Sequence, residues 1–211
     1  METKRILIAD DHSAVRNGIK HILVNEFSNI DFGYAAHAGE VLQIVKEQAW
    51  DIIILDIDMP GRNGLDILKQ LKDEEINIPV LVFSFHKEEQ IAIRALKSGA
   101  FGYLAKDAAD TELVKAVNLI LTGKKYISPE VSEQLISQLE NPSNRFPHEL
   151  LSDREYQTLL LIASGKTVTQ IAEELSLSHP TISTYRARIL QKMVLKNNAE
   201  ITNYAIRHNL V

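Results

Sequence analysis

Short apolar runs alternate with amphipathic stretches along the first 122 residues of the chain. Between the runs, apolar residues recur every three or four positions, which predicts helices. Runs that are apolar without alternation are typical of strands in a parallel sheet that helices cover on both faces. We therefore predict a doubly wound α/β domain with five parallel strands, at residues 6–9, 31–36, 52–55, 80–84 and 102–105.

The pattern changes after Gly123, where a glycine followed by two lysines indicates the end of a helix. One more amphipathic helix is predicted near residues 131–139. Residues 140–149 then contain two prolines and no apolar period, which is typical of a linker. We therefore predict a first domain at 1–122, a linker with a helix at 123–147, and a second domain at 148–211.

The second domain has an all-α pattern of four helices. Ser152 and Glu155 have the spacing of a capping box at the first helix, and Gly165 follows its last turn. A short helix, a turn and a longer helix come next, and Pro180 falls in the first turn of the longer helix. This order predicts a helix–turn–helix, followed by a final helix from about residue 197.

Composition narrows the class of protein. The 211 residues carry a net charge of -5 and no cysteine, which excludes disulfides and thiolate chemistry. No apolar stretch is long enough to span a bilayer, and acids follow the first apolar run too early for a signal peptide. We therefore expect a cytoplasmic protein with no membrane partner. Residues 182–211 hold five basic residues and one acidic residue, so the far end of the chain is basic.

Polar side chains stand at the ends of four predicted strands. They are Asp10 and Asp11 after the first strand, Asp56 after the third, Ser84 at the end of the fourth and Lys106 after the fifth. Parallel strands bring these ends to one edge of the sheet, where ligands of such folds bind. Three carboxylates there repel one another, and Mg²⁺ relieves the repulsion. With an ammonium and a hydroxyl, the cluster can neutralise a phosphoryl group while a carboxylate oxygen attacks it.

Each of these residues also has an ordinary alternative role. Asp10 and Asp11 are good N-caps for the following helix, and Asp56 suits a polar loop. Lys106 beside Asp107 suits a solvated ion pair. The prediction of chemistry depends on all of them occurring together, in this order and at the same strand ends.

Residues 1 to about 122 resemble the receiver domain of two-component response regulators. The matching segments are "IADDH", "ILDIDMPGRNGLD", "VFSF" and "GYLAKD". The resemblance implies a flavodoxin-like (CheY-like) fold, a partner sensor histidine kinase and Mg²⁺. It also implies that Asp56 is the phosphoacceptor and a metal ligand. Asp10, Asp11 and the main-chain carbonyl of Asp58 would complete the metal ligands.

The same resemblance implies roles for residues around the acceptor. Ser84 would move its hydroxyl toward the phosphoryl group, Lys106 would pair with it, and Tyr103 would be the switch aromatic residue. Asp58 and His86 occupy the positions that modulate hydrolysis. The loop beside the acceptor would be shaped by Pro60 and Gly64, and a bulky Phe85 stands where many receivers have a small residue.

The longer helix of the helix–turn–helix has a polar and basic face. We expect Ile182 and Ile189 to anchor it to the core. Short polar and basic side chains on the opposite face suit the major groove of DNA, although a solvated helix face is the alternative. The predicted DNA contacts are Thr181, Ser183, Thr184, Arg186, Ala187, Arg188 and Lys192.

Residues from about 148 to 211 resemble the four-helix DNA-binding domain of the NarL/FixJ (LuxR-type) regulators. The matching segment is "LSDREYQTLLLIASGKTVTQIAEELSLSHPTISTYRARILQKM". The family usually has long polar residues at the positions of Ser183 and Ala187, where this chain has small ones. The resemblance implies a homodimer on promoter DNA. The expected contacts between the two copies of the homodimer are Ile201, Tyr204 and Ala205. Packing in the core of the domain is the alternative role for these residues.

Together the two resemblances imply a two-component response regulator, a transcription factor switched by phosphorylation of Asp56. Self-catalysed phosphoryl transfer to Asp56 and its hydrolysis are expected, but turnover of an external substrate is not. One alternative is a metal-dependent phosphatase or phosphotransferase that uses Asp56 as a nucleophile. Another is an interaction module whose basic end binds protein.

Overall fold

The computed structural model describes residues 3–59, 63–85, 89–108, 110–140, 146–208 and 210–211. The chain divides into two compact units, residues 1–135 and 136–211. This division falls inside the predicted linker at 123–147. The two units are described separately below.

A five-stranded, all-parallel sheet forms the centre of the first unit. The strands lie in the order β2-β1-β3-β4-β5, so the direction of winding reverses between β1 and β3. The predicted doubly wound sheet is therefore confirmed. The strands are β1 (Lys4–Ala9), β2 (Ile30–Ala35), β3 (Ile52–Leu55), β4 (Val80–Ser84) and β5 (Gly102–Ala105).

Helices connect the strands and bury both faces of the sheet. One face packs its isoleucines, such as Ile6 and Ile54, against Leu23 and Val117 of the helices. Every residue of β3 is buried, which explains why its sequence shows no polar alternation. The helices are α1 (Ser13–Glu26), α2 (Ala38–Glu47), α3 (Gly64–Asp73), α4 (Glu89–Lys97), α5 (Asp110–Leu121) and α6 (Pro129–Glu140).

The segment between α5 and α6 returns to the outer edge of β5. The N–H of Tyr126 donates to the carbonyl of Phe101 at 2.9 Å, and Tyr126 forms a parallel bridge with Gly102. Its hydroxyl donates to Glu112 Oε2 of α5 at 2.6 Å. A Cβ atom on Gly102 would lie 3.0 Å from the carbonyl oxygen of Tyr126, so glycine permits this close approach. The start of the predicted linker is thus fixed to the first unit.

The second unit is all-helical, as predicted. The capping box of Ser152 and Glu155 is confirmed at the first long helix, and Gly165 has a φ of +84° after its end. Pro180 lies in the first turn of the helix predicted to read DNA. The elements are a 3-10 helix (Pro147–Leu150), α7 (Asp153–Ala163), α8 (Val168–Glu174), α9 (His179–Met193) and α10 (Asn198–Arg207).

Across the residues that the structure describes, no helix combines the length and the apolar character needed to cross a bilayer. The core of the second unit instead consists of buried apolar residues on each of its helices, among them Leu159, Ile171, Ile182, Ile189 and Ile201.

Candidate functional site

The carboxyl ends of β1, β3 and β5 bring three of the predicted residues into one ion-paired cluster. The Lys106 ammonium donates to Asp10 Oδ2 at 2.6 Å and to Asp56 Oδ2 at 2.7 Å. The side chains of Lys106 and Asp10 are each 2% exposed, and that of Asp56 is 4% exposed. The N–H of Asp56 donates to the carbonyl of Ala9 at 2.8 Å, which keeps the acceptor beside β1.

Burial and charge act in opposite directions on this cluster. Burial raises the pKa of Asp56, and the neighbouring Lys106 ammonium only partly offsets that effect. Burial acts to lower the pKa of Lys106, but the carboxylates of Asp56 and Asp10 outweigh it and raise the pKa. Lys106 therefore keeps its proton, while the surrounding carboxylates outnumber it. The cluster is suited to attract a further cation.

Residues 10–12 bring together the atoms that fit such a cation. Ligand atoms of Asp10, Asp11 and His12 all lie within 4.8 Å of one another. Asp11 Oδ1 is shielded from solvent and has no hydrogen-bond donor among the described residues. The His12 Nδ1 atom lies 2.7 Å from it, but can satisfy this oxygen only when that nitrogen carries a proton. A divalent cation, which prefers carboxylate oxygen ligands, fits this arrangement.

Two residues of this region were not predicted from the sequence. His12 has an exposed side chain whose nitrogen faces Asp11, and Arg16 Nη1 donates to the carbonyl of Asp10 at 2.6 Å. Arg16 lies six positions beyond Asp10, in the second turn of an amphipathic helix. Neither residue stands at a strand end, so the strand-end pattern could not identify them. The signal that could have done so is the helical spacing of His12 and Arg16.

Asp58 and Ser84 also meet at this edge of the sheet. The N–H of Asp58 donates to Asp56 Oδ1 at 3.1 Å, and the Ser84 hydroxyl donates to Asp58 Oδ2 at 3.2 Å. Ser84 is fully buried at the end of β4. The predicted hydroxyl therefore lies close to the acceptor loop. His86, predicted to modulate hydrolysis, and Pro60 lie outside the described residues.

Gly64 determines how closely α3 approaches the acceptor loop. Its N–H donates to the carbonyl of Ile57 at 3.0 Å. A Cβ atom at this position would lie 2.6 Å from Ile57 Cα and 2.8 Å from the carbonyl oxygen of Asp56. Any other residue would therefore push this backbone away. The predicted role of Gly64 in shaping the loop has this steric basis.

Two aromatic residues flank the cluster. Tyr103, the predicted switch residue, lies in β5 opposite Val82 of β4 and is 8% exposed. Phe85 directly follows β4, and its ring centroid lies 4.7 Å from the Lys106 ammonium. Phe85 is nonetheless 65% exposed. The switch role of Tyr103 stays a prediction.

On α9, most of the predicted DNA contacts share the exposed side of the helix. Ile182 and Ile189 are fully buried, as predicted, and hold the helix against the core. Arg186 is half-buried, and its Nε atom donates to Asn198 Oδ1 at 2.6 Å. Thr181 is also half-buried. The exposed members of the set are Ser183, Thr184, Ala187, Arg188 and Lys192.

Lys192 is engaged within the unit. Its ammonium contacts the carboxylate of Glu155 on α7 at 2.6 Å. Burial acts to raise the pKa of Glu155, but the hydrogen bonds from Lys192 and from the Ser152 N–H outweigh it and lower the pKa. A contact between Lys192 and DNA stays a prediction, and the ion pair is an additional role that spacing did not reveal.

The predicted dimer contacts need a correction. Ile201 and Ala205 are 0% exposed, so their side chains have no surface to offer a second copy, and the core alternative describes them. Helical spacing is the same for an apolar face that meets the core and for one that meets a partner. Tyr204 is half-buried, and its hydroxyl lies 2.8 Å from His148 Nδ1. The dimer role stays a prediction for Tyr204. Ile206 of α10, which was not among the predicted contacts, is an exposed apolar residue.

Both units match known families of domains. Residues 6–118 match the family model of the response regulator receiver domain. Residues 149–205 match that of the bacterial regulatory proteins of the luxR family. The receiver match alone covers more than half of the chain.

Curated relatives and solved structures match both units together. Response regulator UvrY of Escherichia coli (strain K12) is 32% identical over 206 residues, which are 97% of this chain and 94% of the relative. Response regulator GacA of Pseudomonas protegens is 35% identical over 207 residues, 98% of this chain and 97% of the relative. A structure of RcsB from Salmonella typhimurium aligns with a TM-score of 0.70 at 25% identity, covering 97% of each chain.

A second RcsB structure, from Salmonella enterica serovar Typhimurium, is bound to promoter DNA in the presence of the phosphomimetic BeF3-. It aligns with a TM-score of 0.66 at 25% identity and covers 96% of this chain and 98% of the other. Because the receiver match covers more than half of the chain and relatives more than 30% identical align along nearly its whole length, the chain belongs to the NarL/FixJ family of response regulators, which join a receiver to a LuxR-type DNA-binding domain.

Proposed function

We propose that phosphorylation of Asp56 by a partner sensor histidine kinase switches the binding of this regulator to promoter DNA. The observation that carries the proposal is the buried cluster in which Lys106 contacts both Asp10 and Asp56. A carboxylate held against a single ammonium at the edge of a parallel sheet is suited to accept a phosphoryl group. As a transcription regulator, the protein would act in the cytoplasm.

In the phosphoryl transfer, an Asp56 oxygen attacks the phosphorus of the kinase phosphohistidine. The P–N bond breaks, and the imidazole leaves with the bonding electrons. The Lys106 ammonium then turns from the carboxylates to the new phosphoryl oxygens, and the Ser84 hydroxyl donates to another of them. The carboxylates of Asp10, Asp11 and Asp56 and the carbonyl of Asp58 would hold Mg²⁺, which would supply neutralising charge. Later attack by water on the phosphorus restores the Asp56 carboxylate.

The switch is a shift between two populations of the receiver. Ser84 now donates to Asp58 and Lys106 to Asp10, so new phosphoryl contacts must replace both of these bonds. Such an exchange pulls the ends of β4 and β5 toward the acceptor. Movement of Tyr103 in β5 would carry this change to the outer face of the receiver.

The exposed side of α9 is the proposed DNA-reading surface. Ser183 and Thr184 suit contacts with phosphates or base edges, and Arg188 suits phosphate or guanine. Because Ser183 and Ala187 are small, Arg188 and Lys192 are the long donors on this exposed face. Homodimers would place two such helices on two half-sites, and a solved RcsB assembly contains two dimers bound to DNA.

A mobility-shift titration with promoter fragments tests this proposal. Full-length protein is treated with Mg²⁺ and acetyl phosphate and compared with untreated protein and with Asp56→Asn. We expect tighter binding only for treated wild type, and binding that weakens steeply as salt rises. Arg188→Ala should weaken binding, whereas the exposed control Lys20→Ala on α1 should not.

Other outcomes would point to the alternatives. DNA binding that changes neither on treatment with acetyl phosphate nor in Asp56→Asn would refute the phosphoryl switch. Multiple turnover of a small phosphoester would favour a phosphatase or phosphotransferase. Absence of DNA binding in every state, with salt-insensitive association to a protein, would favour an interaction module.

A further inference from the structure

The Phe85 ring lies over the Lys106 ammonium. Two carboxylates, from Asp10 and Asp56, already bind this ammonium from within the site. The ring centroid lies 4.7 Å from Lys106 Nζ, within the range of a cation–π contact. The Lys106 side chain is only 2% exposed, although it stands at a ligand-binding edge of the sheet.

The ring is placed to obstruct phosphoryl chemistry at Asp56. An incoming phosphoryl group must reach Lys106, so the cation–π contact has to be exchanged for an ionic one. A ring over Lys106 in the unphosphorylated receiver therefore slows the phosphorylation of Asp56.

An apolar groove beside the ring offers it a second position. The groove has a volume of about 200 Å³ and is lined by Phe85 and Lys106 themselves, by Asp110, and by mostly apolar residues of α1, β4 and α5, including Val15, Ile19 and Phe83. An engineered apolar cavity of about 150 Å³ can hold benzene, so a phenyl ring fits a space of this size. Phe85 is 65% exposed, which means that little packing holds its ring over Lys106.

We propose that Phe85 is a positioning residue that covers Lys106 and restrains the phosphorylation of Asp56. The ring must leave Lys106 and enter the groove before phosphoryl transfer takes place. This inference rests on the proposed function of Asp56 as the acceptor.

The first test measures two rates in full-length protein with Mg²⁺. Phosphorylation by acetyl phosphate and loss of the phosphoryl group after removal of the donor are both followed by intact mass. We expect Phe85→Ala to raise the rate of phosphorylation by about two- to thirtyfold, the equivalent of one cation–π contact. The rate of hydrolysis should stay unchanged, because the ring has already left Lys106 in the phosphorylated protein. Phe85→Trp should restore slow phosphorylation, because it keeps an aromatic face over Lys106. Phe146→Ala, at an exposed phenylalanine of the second unit, is the matched control and should leave both rates unchanged.

The second test fills the groove. Gly18 lines the groove, and a Cβ atom there would meet no atom within 4 Å. Gly18→Leu should therefore slow phosphorylation by denying the ring its second position. In Gly18→Leu/Phe85→Ala there is no ring to move, so the double variant should react as fast as Phe85→Ala.

The outcomes separate this inference from the function on which it rests. If wild type is phosphorylated at Asp56 but Phe85→Ala reacts no faster, the covering role is overturned. A slower Phe85→Ala protein would overturn it as well, because that result indicates damage to the site. If wild type and Phe85→Ala both fail to gain a phosphoryl group, the proposed function of Asp56 fails and this inference fails with it.

Discussion

Replacing Lys192 with alanine distinguishes the two roles that this side chain can have in the second unit. Its ammonium contacts Glu155 Oε2 at 2.6 Å, between α9 and α7. The same oxygen accepts a hydrogen bond from the Ser152 N–H at 2.8 Å, so the ion pair is joined to the capping box of α7. The Glu155 side chain is 3% exposed and that of Lys192 is 40% exposed.

The expected cost follows from this unequal exposure. Removing one partner of a fully buried ion pair costs about 3–5 kcal/mol, because the remaining charge is left without compensation. Water reaches the Lys192 end of this pair, and exposed pairs contribute only about 0–1 kcal/mol. We therefore expect Lys192→Ala to lower the free energy of unfolding of the second unit by about 1–2 kcal/mol.

Urea unfolding of the full chain measures this change. The single tryptophan, Trp50, is buried in the first unit, so its fluorescence follows that unit, whereas far-UV circular dichroism follows both. Lys192→Ala should shift the dichroism transition of the second unit and leave the Trp50 transition in place. A double-mutant cycle with Glu155→Gln should give a coupling energy of about 1 kcal/mol.

The pH dependence of the stability of the second unit gives a further check on the ion pair between Lys192 and Glu155. The pKa of Glu155 is lowered in the folded chain, so its contribution is fully present above the unfolded value of about 4.3. It is lost as the pH falls below that value and through the folded pKa. The difference between wild type and Lys192→Ala should therefore disappear in strong acid.

Salt dependence of DNA binding then decides between the roles. If Lys192 binds a phosphate, Lys192→Ala should reduce the slope of log K against log salt by about 0.9. If Lys192 only holds α9 in place, affinity should fall with the slope unchanged. Arg188→Ala is the matched comparison, since Arg188 is exposed on the same helix. An unchanged unfolding transition of the second unit would refute the reasoning from the ion pair.

Three further predictions concern stability. Gly33→Ala should destabilise the first unit by about 1–3 kcal/mol, because its Cβ would lie 2.1 Å from Trp50 Cη2, and Trp50 fluorescence during urea unfolding measures this. Val194→Gly should stabilise the second unit by about 0.5–1 kcal/mol. Val194 has a φ of 56° and is 88% exposed, so glycine relieves backbone strain without loss of packing, and the dichroism transition should move to higher urea. Burial raises the pKa of Asp56, so its charge disfavours the folded state above that pKa. Asp56→Asn should therefore raise the Trp50 unfolding midpoint at pH 7 to 8 in the absence of Mg²⁺, and this gain should vanish as the pH falls toward about 3.9.

Local patterns in the sequence predicted the strands and the α-helices of both units, but not the 3-10 helix at Pro147–Leu150, which begins in the predicted linker. The unbroken apolar run at 52–55 predicted a buried parallel strand because each of its residues meets a helix-covered face of the sheet. Ser152 and Pro180 marked helix starts because capping and proline geometry depend only on residues a few positions away. Strand ends of a parallel sheet lie on one edge, so the meeting of Asp10, Asp56 and Lys106 also followed from the sequence.

The tertiary structure alone decided which partners these residues have. Lys106 binds carboxylates 96 and 50 positions away, and Lys192 binds one that is 37 positions away. A repeat of three or four residues in the sequence cannot indicate contacts between residues so far apart. Spacing placed Ile201 on an apolar face of α10, but only the packing of that helix against its own unit made the face a core. Apolar residues at helical spacing indicate only that one face of the helix is shielded from water. Which surface covers that face depends on how distant segments of the chain pack together, and this is what the fold supplied.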